Sequence, residues 1–277
     1  MKFIRKNLTT ILLIMIFTAG LSLLLYPTVS DWVNSIYASR AVVSYEDTVN
    51  RLSPEDYEKM VEDARVYNSL LATEVYRFSP SDELHKKYQE TLNIGQDGVM
   101  GVLKIPSLRV NLPIHHGTDE SVLQSALGHL EGSSLPVGGA GTHTVISGHR
   151  GLPSAKLLTD LDRMEEGDYF MIQALDNVIT YQVDKISIVL PSDYSELQFE
   201  DDQDYATLMT CTPYGINSHR LMVRGHRVDN LPDDYIDMRN DAMIINKNLI
   251  AAIIAGALIL ILIIGYSISG RIRKHHA

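Results

Sequence analysis

The sequence predicts a mainly β domain, an antiparallel barrel or sandwich, held between two membrane-spanning helices. Three observations carry this. Uncharged apolar runs lie near both ends, at residues 8–25 and 249–264. The middle breaks into short β-prone runs punctuated by Gly and Pro, and only brief helical stretches interrupt those runs.

The first run, LTTILLIMIFTAGLSLLL, has eighteen residues and no charge; as a helix it rises about 27 Å, the thickness of a bilayer core. Lys2, Arg5 and Lys6 precede it, and Tyr26-Pro27 follow with no small-residue cleavage site nearby, so an uncleaved anchor is expected. The second run continues through Gly265 and Tyr266 and is closed by Arg271, Arg273 and Lys274. Both basic flanks are terminal, so the positive-inside rule places both termini in the cytoplasm and the middle outside. Trp32 and Tyr37 suit an interfacial aromatic anchor.

Charge divides the chain in the same way. Residues 28–246 hold all 34 acids but 17 of the 24 Lys and Arg, a net charge of −17. An acidic domain of this kind is a poor binder of phosphate backbones, so no nucleic-acid partner is expected. One cysteine excludes an internal disulfide, which outside a cell fits a bacterial source better than a eukaryotic secretory one. His115-His116, His129, His219 and His226 lack ligand spacing with acids or Cys, so neither a metal nor a cofactor is expected.

Within the middle, Ser53-Pro54-Glu55-Asp56 starts a helix: Ser caps, Pro takes the first position, and acids fill the first turn. Tyr57, Val61, Ala64, Tyr67 and Leu71 continue it as one apolar stripe. Residues 77–96 are polar and mixed, and read as a linker or covering loop. Strands are expected at 99–105, 142–147, 169–175, 178–189, 206–211 and 221–228, with short helices at 120–127 and 154–161. The organisation is therefore a basic N-terminus (1–7), an anchor (8–27), a helical preface (28–97), a β domain (98–230), a linker (231–248), a second span (249–268) and a basic tail (269–277).

Three residues carry candidate chemistry. Cys211 ends an apolar strand, where a side chain stands at the rim of a sheet. A thiol needs a base or a positive neighbour to become a useful nucleophile. His149, between Gly148 and Arg150-Gly151, sits in a tight loop just after a strand and suits an acid and base. Arg220 follows the turn after Cys211, so two hairpin strands return it beside the thiol, where a fixed charge stabilises an oxyanion or thiolate. The bland readings are a buried structural Cys, a solvated loop His and a surface Arg. His143 competes with His149 for the base role, but its place within a strand favours packing.

The run from Thr207 through Cys211, Thr212-Pro213-Tyr214-Gly215-Ile216-Asn217-Ser218-His219-Arg220-Leu221, resembles the cysteine signature of sortases, and Ser147-Gly148-His149-Arg150-Gly151 resembles their histidine motif. The form of both motifs and the C-terminal span are similar to class C, the pilin polymerases. The resemblance covers residues 55–228 and implies a closed β-barrel transpeptidase. It implies Cys211 as nucleophile, His149 as acid and base, Arg220 as transition-state stabiliser, and an LPxTG-like sorting signal as substrate. A pilin lysine is the implied acceptor, and no cofactor is implied. Wall anchoring through a peptidoglycan-precursor amine, a membrane-tethered cysteine protease and a non-enzymatic scaffold are the competing readings. One departure stands out. Class C enzymes carry a lid anchored by an Asp-Pro-aromatic motif, and the sequence contains no Asp-Pro pair. Phe78-Ser79-Pro80 stands in its place, with Asp82 nearby.

Overall fold

The computed structural model describes residues 7–231, together with 256 and 257. Residues 241–277 form a separate unit, of which the two described positions are helical. The expected second span, residues 249–268, otherwise lies outside the described residues.

Helix α1 runs unbroken from Leu8–Val49 and carries Pro27 inside it. Proline removes a backbone donor and crowds the preceding turn, and the expected anchor, residues 8–27, ends at this residue. The helix continues because its second half has an apolar stripe to bury. Ala38, Val42, Tyr45 and Val49, at spacings of four, three and four, are all buried against the barrel. Tyr45 fixes the contact: its hydroxyl donates to the Met100 carbonyl at 3.0 Å and accepts from the Leu175 N–H at 2.7 Å. Among the described residues, α1 is the one helix long and apolar enough to cross a membrane.

Helix α2, Pro54–Ala72, begins as expected, with the Ser53 hydroxyl accepting from the Asp56 N–H at 3.1 Å. It buries Ala64, Tyr67, Asn68 and Leu71. The segment read as a linker contains a further helix, α3, Asp82–Glu90, capped by Ser81. Its only buried side chains are Leu84 and Tyr88, one turn apart, a pattern too short to show periodicity in a window of charged residues.

Eight strands follow: β1 Val99–Ile105, β2 Val110–His116, β3 Leu127–His129, β4 Thr142–Ser147, β5 Tyr169–Ala174, β6 Asn177–Val189, β7 Asp204–Thr212 and β8 His219–Val228. They close into a barrel in the order β1-β2-β3-β4-β7-β8-β6-β5, with β5 returning to β1. The fold is therefore a closed barrel rather than a sandwich. It is not wholly antiparallel: β2 pairs with β3 and β4 with β7 in parallel. Strands β2 and β3 escaped the sequence reading because one carries Asn111, Pro113 and two histidines, and the other has three residues. Helix α4 spans only Glu120–Leu123, and residues 154–160 are turns and bends rather than helix.

Candidate active site

The parallel β4–β7 pair and the antiparallel β7–β8 pair place all three candidate residues at one end of the barrel. Ser147 at the end of β4 stands opposite Met209 of β7. The next turn is tied down by Gly148 N–H to the Met209 carbonyl at 3.1 Å and Thr210 Oγ1 to the Gly148 carbonyl at 2.7 Å. His149 therefore leaves its strand beside Cys211. Across the hairpin, Cys211 pairs in register with Arg220. His149, Cys211 and Arg220 line one cleft of about 240 Å³.

Its floor is apolar, with Leu130, Leu197, Met209 and Met222, and its outer wall is the β6–β7 connection, including Pro191, Asp193 and Tyr194. Cys211 is a free, half-buried thiol. The Arg220 guanidinium rests on the carbonyls of His219 at 3.3 Å and Asn217 at 3.5 Å, and it forms no salt bridge among the described residues. Its charge is thus open to a ligand in the cleft. On the rim, hydrogen bonds from Ser195 hold the Asp193 carboxyl below the usual carboxylate range. His149 Nε2 lies 3.5 Å from Glu120 Oε2. The sequence reading missed Glu120, since only the fold brings the β2–β3 connection to the histidine loop.

The neighbouring histidines are structural. His143 is buried in β4, with Nδ1 on the Gln198 carbonyl at 3.0 Å and Nε2 on Thr207 Oγ1 at 2.7 Å. Burial pushes its imidazole down to about 4. His129, fully buried between Tyr88 and Ser134, is pushed down to about 3, also by burial. Neither lines the cleft.

The segment that replaces the expected lid motif lies against the same wall. Phe78 stacks on Tyr194 with ring centroids 4.5 Å apart. Arg77 is buried between the Phe78 and Phe199 rings, at 4.7 and 4.0 Å, and donates from Nη2 to the Leu197 carbonyl at 2.5 Å. A Cβ at Gly132 would stand 2.4 Å from the Arg77 carbonyl, so only glycine admits this strap so close to the barrel. Asp82 is in the first turn of α3, where a carboxylate suits the helix N-terminus, and does not line the cleft.

A strand-end cysteine, a histidine loop and an arginine on a neighbouring strand, gathered in one cleft of a closed eight-stranded barrel, define a class of protein rather than an individual one. The sortase domain family matches residues 103–228. The crystal structure of sortase C1 from Streptococcus agalactiae is 46% identical with a TM-score of 0.67, covering 69% of this chain and 100% of that one. Sortase C from Streptococcus pneumoniae is 39% identical with a TM-score of 0.60, over 70% of this chain and 99% of that one. The Clostridium perfringens sortase C solved with the C-terminal cell wall sorting motif is 38% identical with a TM-score of 0.62, over 70% and 100%. Sortase D from Bacillus subtilis is 30% identical over 131 residues, which is 46% of this chain. The chain spans 63% of that relative and 47% of sortase A from Streptococcus agalactiae. The chain belongs to the sortase family, and within it to class C.

Proposed function

We propose that the protein is a membrane-bound cysteine transpeptidase that cleaves an LPxTG-like sorting signal between Thr and Gly and transfers the new carboxyl to a lysine of a pilin subunit. The supporting observation is the convergence of His149, Cys211 and Arg220 on one cleft with an apolar floor. The class C relatives support the choice of substrate; the pneumococcal structure is described in terms of pilin substrate specificity, and the clostridial one holds a sorting motif.

The chemistry follows from the residue types. The Cys211 thiolate attacks the Thr carbonyl carbon, and the electron pair moves to oxygen. Arg220, with no salt bridge of its own among the described residues, offsets that charge together with backbone N–H groups. Collapse of the tetrahedral species breaks the Thr–Gly bond as the His149 imidazolium gives its proton to the leaving glycine amine. This leaves a thioacyl enzyme and neutral His149. An incoming lysine amine attacks the thioester, His149 takes its proton, and the thiolate leaves, so the product is an isopeptide. Full-length protein in nanodiscs, an LPxTG-like peptide and a lysine-bearing pilin test this by mass spectrometry. A Cys211-dependent isopeptide product is expected. Cleavage without a lysine adduct would contradict polymerisation.

Helix α1 serves as the membrane anchor in this reading, with the barrel outside the membrane and a second span at residues 249–268 returning the chain to the cytoplasm. The apolar 8–25 run supports the first span. The basic flanks at both ends support the orientation.

A further inference from the structure

The barrel is attached to α1 in a way that fixes which of its ends is nearest the anchor. From Ala38 onward α1 is packed on the barrel, whereas residues 22–24 and 26–29 are exposed. Between these stretches two hydrogen bonds tie the helix to the loop that follows His149. Asn34 Nδ2 donates to the Ser154 carbonyl at 2.7 Å, and the Lys156 N–H donates to Asp31 Oδ1 at 2.7 Å. Asp31 is six residues past Leu25, the last residue of the apolar run, so the helix rises about 9 Å between them. The histidine loop is therefore the part of the barrel that α1 meets first on leaving the apolar run.

That same end carries an exposed apolar surface that does not line the cleft. The connection between β7 and β8, residues 213–218, exposes Tyr214 (61%) and Ile216 (71%). The Tyr214 ring lies over Gly151, where a Cβ would meet it at 2.7 Å, and Gly151 has a positive φ of 77°. This contact places the β7–β8 tip against the loop that α1 holds. Val189 pairs with Arg220, so exposed Ile188 and Leu190 leave the sheet beside the same tip. Exposed apolar clusters of this kind mark protein or membrane contacts, and an exposed tyrosine with aliphatic neighbours suits a bilayer interface. The exposed ammonium of Lys156 and guanidinium of Arg163 flank the loop, each sharing Asp160, and add a cationic margin.

We infer that the β7–β8 tip, with Tyr214 and Ile216 at its apex, is a second membrane contact that lays the catalytic end of the barrel against the lipid surface. The partner is the bilayer itself, because the chain path through α1 puts this end, not the end bearing Val75, nearest the apolar run. The cleft lined by His149, Cys211 and Arg220 then opens at the membrane surface. This rests on reading α1 as a membrane anchor.

Trp32 is the only tryptophan in the chain, so Trp32→Phe gives a silent background for single reporters. Four full-length variants in that background, Tyr26→Trp, Tyr214→Trp, Ile216→Trp and Val75→Trp, are compared in phosphatidylcholine–phosphatidylglycerol nanodiscs with and without brominated acyl chains. Tyr26 reports the anchor, and Val75, 84% exposed at the opposite end of β4, reports the far side. With Trp at 26 quenched, the expected result is about twofold or greater loss of emission at 216 and at 214, as for a ring lodged ~5–10 Å into the interface, with no loss at 75. Quenching at 26 but not at 214 or 216 overturns the inference and leaves the anchor standing. No quenching at 26 overturns the anchor reading and the inference with it. Emission at 216 that is unquenched but shifts to the blue as protein density per disc rises assigns the tip to a second copy of the chain, and also overturns it.

Discussion

Acidification from pH 7.5 to 5 is expected to weaken the barrel through two buried histidines that do not line the cleft. Burial pushes His129 down to about 3 and His143 down to about 4, whereas an unfolded chain holds both near ~6.5. Arg224 and Arg77 near His143 lower it further, while the Gln198 carbonyl and Asp184 partly oppose them. Because the folded values are depressed, the unfolded chain binds more protons as pH falls below ~6.5. Stability is full above that point and is lost progressively down towards 4. Each histidine then costs about 1.4 kcal/mol per pH unit, or ~2 kcal/mol at pH 5, and the pair ~4 kcal/mol. Near pH 5.5 the pair supplies a slope of about 2 kcal/mol per pH unit, and His143→Gln removes about half of it. The assay is urea unfolding of the full chain in detergent, followed by near-UV circular dichroism at half-unit pH intervals. A slope unchanged by His143→Gln would refute the reasoning, because carboxylates and the other histidines are common to both proteins.

Further predictions concern the packing, the cover and the charge in the cleft. Tyr45→Phe strips the Leu175 N–H of its acceptor and the Met100 carbonyl of its donor; the expected loss is about 1–3 kcal/mol of barrel stability, read by the same unfolding assay. Phe78→Ala removes the stack on Tyr194 and is expected to speed Cys211 labelling by a thiol reagent about 2- to 10-fold, the factor matching an aromatic pair worth ~0.5–1.5 kcal/mol. With no Asp-Pro-aromatic anchor in the sequence, the wild-type thiol is also expected to label faster than that of a lidded relative; an equal rate would count against a looser cover. Arg220→Ala is expected to lower kcat about 10²- to 10³-fold on a soluble LPxTG-like peptide with little change in KM. Arg220→Lys should recover only part of that, since an ammonium lacks the planar fork.

The β architecture was legible where strands carry long apolar or β-branched runs, and β1 and β4 were bounded correctly from sequence. Strands β2 and β3 were not, because one is interrupted by polar residues and proline and the other owes its existence to its neighbours. The parallel β4–β7 pairing is a long-range fact that no local pattern encodes, yet it is what brings His149 to Cys211. The Cys211–Arg220 pairing, by contrast, was readable from a single turn. Helix α1 runs on through Pro27 because burial of Ala38, Val42, Tyr45 and Val49 outweighs one missing hydrogen bond. Glu120, Arg77 and the Phe78–Tyr194 stack needed the fold, since each is positioned by partners far away in sequence.

The most direct test of the central claim is the intact mass of the full-length protein after incubation with an LPxTG-like peptide in the absence of any amine acceptor. The expected result is a covalent adduct equal to the peptide up to its Thr, mapped to Cys211, absent in Cys211→Ala and discharged on adding a lysine-bearing pilin. Peptide turnover that persists in Cys211→Ala, or an adduct on any other residue, would contradict it.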